Sequence, residues 1–261
     1  PIDMICGTSI GSIMGGFYAC GYRAEDLAEF SQSQDWRHLF SNPVPRRVIP
    51  VYEKKIMNRY IVSFPLENRD IKLPSGLIQG QNVINLFCDR LARFHTTENF
   101  RNLPIPFFCV ATDLETGEEV RLDSGFLPEA ILASMAVPGV FAPVYINDRV
   151  LVDGGVVNNL PSDHMKAFGA DIIIAIDIDR NLKSRAELNS IDNILQQLIT
   201  FQDYETTQRN RELCDLIIEP DISGYQATDF SQQAVDSLIV LGERAAREQW
   251  DALIALKKDY G

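Results

Sequence analysis

The chain of 261 residues is short of positive charge, with 24 Lys and Arg against 36 Asp and Glu and a formal net charge of −12. A phosphate backbone needs a basic partner, so nucleic acid is excluded as the natural ligand, and attraction of the whole body to an anionic membrane is disfavoured. Histidine is scarce, with three residues (38, 95 and 164), and the five cysteines (6, 20, 88, 109 and 214) form no C-x-x-C pair. An odd, scattered set of thiols reads as free cysteines and supplies neither a disulfide framework nor a zinc site. No apolar run approaches the ~18 residues of a membrane span. No carboxylate-rich calcium loop is present either, so no metal and no cofactor is expected. Hydrophobic content of 46% and charged content of 23% are ordinary for a globular chain able to bury a core.

Against these absences stands one dense local signal, Gly7-Thr8-Ser9-Ile10-Gly11. The apolar run Ile2 to Cys6 before it reads as a strand; Ile13, Met14, Phe17 and Tyr18 after it recur at helical spacing. Strand, G-x-S-x-G and helix make the setting of a nucleophile elbow, in which a tight turn exposes the serine oxygen. Gly7 and Gly11 are expected to leave room where a side chain would collide. The helix should aim its N-terminal N–H groups at developing negative charge, with the Ile10 N–H as one oxyanion donor. The pattern alone recurs by chance in roughly one chain in ten of this length, so its context carries the reading.

Along the chain, helical patterns cover 11–19, 23–30, 81–94, 127–137 and 161–168. Ile191, Ile194, Leu195 and Leu198 line another helix, and 232–258 reads as one long closing helix. Strands are expected at 105–112 and 118–122 (joined by Leu114-Glu115-Thr116-Gly117), at 149–152, at 171–178 and at 216–219. The run 171–178, apolar but for Asp171 and Asp177, predicts a strand buried on both faces. Strands alternating with helices predict one α/β domain over 1–261, a three-layer α/β/α sandwich with a mostly parallel central sheet. Prolines 43, 45, 50, 65 and 74 interrupt the segment 43–80, which is expected to be a lid or flap. Its Arg46, Arg47, Lys54, Lys55 and Arg59, against Glu53, offer a basic patch for peripheral membrane contact beside the plainer reading of a solvated loop.

A serine needs a base. His164 lies late enough to close a Ser-Asp-His order, whereas His38 and His95 have no motif around them. Asp153 ends a strand and is followed by Gly154 and Gly155, which let another backbone or a ligand come close. It is either a turn residue or the base itself.

Four blocks in order carry a resemblance: Gly7-Thr8-Ser9-Ile10-Gly11; Ala111-Thr112-Asp113-Leu114 with Thr116-Gly117; Ala133-Ser134 with Pro138-Gly139-Val140-Phe141; and Val152-Asp153-Gly154-Gly155 with Asn158-Asn159-Leu160-Pro161. Nearly end to end, the chain resembles the patatin-like phospholipase family. The resemblance implies a Ser–Asp dyad without histidine, Ser9 as nucleophile and Asp153 of the D-G-G motif as base, cleaving lipid or fatty-acyl esters. One departure stands out, because the family's glycine-rich oxyanion loop would precede Pro1. The expectation is a fragment whose elbow strand keeps an unpaired edge, covered by a second copy or another segment. The competing readings are a Ser-Asp-His esterase using His164 and a catalytically silent binding domain of the same fold. Compartment is not written in the sequence.

Overall fold

The structure is a computed structural model; it describes residues 2–40, 66–67, 70–71, 76–178, 182–183, 185, 188, 191–225 and 229–260. The chain opens with strand β1 (Ile5–Thr8), which runs into helix α1 (Ile10–Ala19), then α2 (Ala24–Ser33) and the short α3 (Trp36–Leu39). Two-residue strands β2 (Leu66–Glu67) and β3 (Asp70–Ile71) pair antiparallel, and β4 (Gly76–Ile78) leads to α4 (Gln81–Arg90). The expected cover over 43–80 lies otherwise outside the described residues. Then come β5 (Phe107–Asp113), β6 (Glu119–Leu122), α5 (Leu127–Ser134), β7 (Gly139–Phe141), β8 (Val144–Ile146) and β9 (Arg149–Asp153). The chain continues through α6 (Ser162–Ala167), β10 (Ile174–Ile176), α7 (Ile191–Arg211), β11 (Leu216–Ile218), α8 (Gln232–Glu248) and α9 (Trp250–Tyr260).

β5 is the spine. All seven of its residues are buried, the apolar run Phe107 to Ala111 and then the polar Thr112 and Asp113. Alternate side chains serve opposite layers. Phe107, Cys109 and Ala111 join the core formed by α1, α4 and α5, with Phe17, Phe87 and Ile131 fully buried there. Phe108 points the other way, stacked on Phe168 with ring centroids 5.3 Å apart. Helices therefore cover both faces of the sheet, giving a three-layer α/β/α fold.

The sheet is mixed, which corrects the expectation of a mostly parallel one. β1 runs parallel to β5, but β6 and β9 are antiparallel to β5, and β8 is antiparallel to β9. A tight connection sets the β8–β9 pair. Asn147 and Asp148 both take positive φ (50° and 62°), the two-residue hairpin geometry that returns a strand beside itself. One edge of β5 carries β6. The other is shared, with β1 opposite 107–110 and β9 opposite 111–113. Among the described residues, β1 has a ladder partner on its β5 side alone.

Two further expectations are corrected. β10 has three residues and is not buried on both faces: Ala175 is buried while Ile174 and Ile176 are exposed, and among the described residues β10 pairs with β11 alone, in a separate two-stranded sheet. The closing helix is broken at Gln249, which leaves α8 capped by its N–H to Ala246 and Arg247 carbonyls. In α7 the Ile194, Leu195 and Leu198 stripe, read as lining one helix, faces outward.

Candidate active site

The sharing of one β5 edge creates the site. Thr8, at the end of β1, lies opposite Val110; Asp153, at the end of β9, lies opposite the next residue, Ala111. Two strand ends far apart in sequence are thereby brought to adjacent positions on one ladder. Ser9 follows Thr8, and its Oγ donates to Asp153 Oδ2 at 2.6 Å.

Ser9 is the N-cap residue of α1 with φ 54° and ψ −122°, a conformation that a side-chain-bearing residue adopts only under constraint. A serine at an N-cap ordinarily turns its oxygen to the N–H groups of the first turn. Here no such side-chain bond exists, and the hydroxyl faces Asp153 instead. The turn is held by its neighbours. The Ser9 N–H donates to the carbonyl (3.2 Å) and Oγ (3.3 Å) of Ser134, and Ser134 Oγ donates to the Val110 carbonyl at 2.6 Å. The Ser12 hydroxyl donates to the Ser9 carbonyl at 2.6 Å. Gly7 is required by close approach, since a Cβ there would stand 2.3 Å from the Gly11 carbonyl oxygen. Gly11 is not required in that way. A Cβ on it would meet nothing within 4 Å, so the expected collision is corrected to open space beside the first turn of the helix.

Asp153 is 5% exposed. Its Oδ1 accepts the Gly155 N–H at 2.7 Å, and its backbone is fixed by the Thr112 hydroxyl on its carbonyl (2.9 Å) and by its own N–H on the Ala136 carbonyl (2.9 Å). Burial pushes its pKa up from 3.8 to about 6, against the opposing pull of the Ser9 and Gly155 hydrogen bonds. Gly154 has the same role as Gly7, because its Cβ would stand 2.3 Å from the Val110 carbonyl oxygen. Gly155 sits close to Asn159 Oδ1 and Asp153 Oδ1, which would crowd a Cβ at 2.9 and 3.1 Å. The Thr8 hydroxyl donates to the Asn158 carbonyl at 2.9 Å, tying the elbow strand to the turn after Asp153.

His164 does not join this group. Its Nε2 pairs with Glu119 Oε1, its ring packs edge-on against Phe108, and the Glu119 hydrogen bond raises its pKa. Glu119, Asp163 and His164 offer ligand atoms within 4.8 Å of one another, a juxtaposition that their sequence spacing did not announce. Those atoms are already engaged: Asn158 Nδ2 donates to Glu119 Oε2 and to Asp163 Oδ1 at 3.0 Å, and Asn210 Nδ2 donates to Asp163 Oδ1 at 3.0 Å. All five cysteines are free, and burial pushes the Cys20 thiol up to about 12. Sequence reasoning gave no role to Thr8, Thr112, Ser134 or Asn158. Each acts through a hydroxyl, carbonyl or amide whose partner lies in a distant segment, so no local spacing reveals it.

The structure thus sets a strained serine between strand and helix, facing a buried carboxylate, in an α/β protein whose mixed sheet carries helices on both sides. The sequence model of the family described as Patatin-like phospholipase matches residues 1–165, and the chain belongs to that family. Among its relatives, an uncharacterized NTE family protein of Mycobacterium tuberculosis is 29% identical over 275 residues, covering 94% of this chain and 41% of its own length. Lysophospholipase nte1 of Aspergillus fumigatus is 27% identical over 184 residues, covering 68% of this chain and 10% of its own. The chain thus spans less than half the length of these curated relatives. The solved structure of VipD from Legionella pneumophila aligns over 93% of this chain and 61% of its own at 13% identity, with a TM-score of 0.38.

Proposed function

We propose that this chain is a lipid acyl hydrolase that cleaves carboxylic esters through a Ser9–Asp153 dyad and an acyl-enzyme. The observation that carries the reading is the 2.6 Å hydrogen bond from Ser9 Oγ to a buried carboxylate. Family membership and a lysophospholipase among the relatives support lipid hydrolysis as the general activity. In the first half-reaction Asp153 accepts the Ser9 proton as Oγ attacks the ester carbonyl. The Ile10 N–H and the first turn of α1, which has no acidic side chain to offset its dipole, receive the oxyanion. Asp153 then gives the proton to the departing alcohol. In the second half-reaction Asp153 takes a proton from water, whose oxygen attacks the acyl carbon; collapse releases the fatty acid and returns that proton to Ser9.

An ordinary aspartate near pH 4 is a weak base. A carboxyl titrating at about 6 is a better one, and is still about nine-tenths ionised at pH 7. The test is hydrolysis of a short-chain nitrophenyl ester and of lysophosphatidylcholine by the wild type and Ser9→Ala. The proposal requires turnover by the wild type and its loss, by about 10³-fold or more, in the variant. A folded wild type that turns over neither ester would leave the silent binding domain in its place.

A further inference from the structure

Helix α7 is inside out. A helix at a protein surface ordinarily buries its apolar stripe and shows its polar one. Among the described residues of α7 the buried positions are Asn193, Gln197, Asp203, Thr207 and Asn210. Specific bonds fix this orientation: Gln197 Oε1 accepts the Lys183 N–H at 2.8 Å, Asp203 Oδ1 accepts the Asn159 N–H at 3.2 Å, and Asn210 Nδ2 donates to the Leu160 carbonyl at 2.8 Å. The apolar face therefore cannot rotate inward without breaking them. That face consists of Ile194, Leu195, Leu198, Phe201 and Tyr204, with Leu198 56% and Phe201 55% exposed. From 193 to 202 the helix carries no charged residue.

The helix that carries this face adjoins the candidate site. Leu195 Cδ1 lies 3.1 Å from where a Gly139 Cβ would stand, and α7 packs on the turn 154–156 whose Gly155 N–H holds Asp153. We propose that the outward face of α7 docks the protein on an electrically neutral lipid surface and so brings ester substrate to the site; the choice of occupant rests on the acyl-hydrolase reading. The chemistry fits that occupant. A charge-free apolar band closed by an amphipathic tyrosine suits the boundary between head groups and acyl chains. A protein of net charge −12 is repelled by anionic surfaces, so a zwitterionic one is the complement.

The experiment is flotation of the chain with phosphatidylcholine vesicles at low and high salt, with light scattering of the protein alone. The wild type should co-float equally at both salt concentrations, since no charge is used. The double variant Leu198→Gln, Phe201→Gln should lose at least tenfold in partition and in hydrolysis of vesicle lipid. Its activity on a soluble short-chain ester should be unchanged, which reports an intact fold and dyad. Ser9→Ala should bind vesicles like the wild type, so that failure of the hydrolase reading is seen separately from failure of docking. A wild type that does not float, whether it is a monomer or a dimer broken by the double variant, overturns the proposal. So does a double variant that floats as well as the wild type.

Discussion

Replacing Asp153 by Asn should separate activity from stability in opposite directions. The carboxyl is raised from 3.8 to about 6 by burial, so its contribution to stability is full below pH 3.8 and is lost as pH rises through 6. A shift of this size corresponds to about 3 kcal/mol at neutral pH, charged against the ionised native state. Asn is nearly isosteric, can still accept the Gly155 N–H, and carries no charge to desolvate. Relative to the wild type, Asp153→Asn should therefore gain stability as pH rises from 4 to 8. At about 2–4 °C per kcal/mol for a chain of this size, the gain in Tm difference is roughly 5–10 °C. Over the same range its ester hydrolysis should fall by about 10³-fold or more, because an amide takes no proton. Paired thermal melts and initial rates at matched pH measure both quantities. A variant that keeps wild-type turnover would refute the base assignment. One that loses stability relative to the wild type as pH rises would refute the desolvation argument.

Three further outcomes follow from the same geometry. The pH profile of kcat/KM for a soluble ester should show an acid limb near pH 6, and a limb near pH 4 would mean that the working base is not the desolvated Asp153. His164→Ala should keep ester hydrolysis within an order of magnitude of the wild type, since its imidazole is held by Glu119; a loss of several orders would restore the triad. Gly154→Ala should fail to fold or lose most of its stability, as its Cβ meets the Val110 carbonyl at 2.3 Å, whereas Gly11→Ala should melt like the wild type. Equal melting of all three proteins would discard the close-approach argument.

The elbow was legible because it is local: five residues fix the turn, and the flanking periods fix strand and helix. Asp153 was legible only as a strand-end aspartate before two glycines. Its meeting with Ser9 depends on β1 and β9 sharing one edge of β5, which no spacing encodes; the family resemblance alone implied it. The β8–β9 direction was not legible because the Asn147–Asp148 turn has no glycine, and its two positive φ angles are a property of the fold. The burial of the largely apolar run 171–178 was not legible because composition cannot tell how many neighbours a strand will find; among the described residues β10 has one. In α7 the periodicity correctly grouped Ile194, Leu195 and Leu198 on one face. Which face meets the protein was decided by bonds from Asn159 and Lys183, remote in sequence from the helix positions they hold. The break at Gln249 has no glycine or proline to mark it.

The central claim is that Ser9 is a nucleophile activated by Asp153, and covalent labelling tests it most directly. Incubation with a fluorophosphonate, followed by intact mass and peptide mapping, should give one adduct per chain, located on Ser9. Ser9→Ala should take up none, and Asp153→Asn should label far more slowly. A folded wild-type chain that stays unlabelled, or carries the adduct on a different serine, would contradict the account.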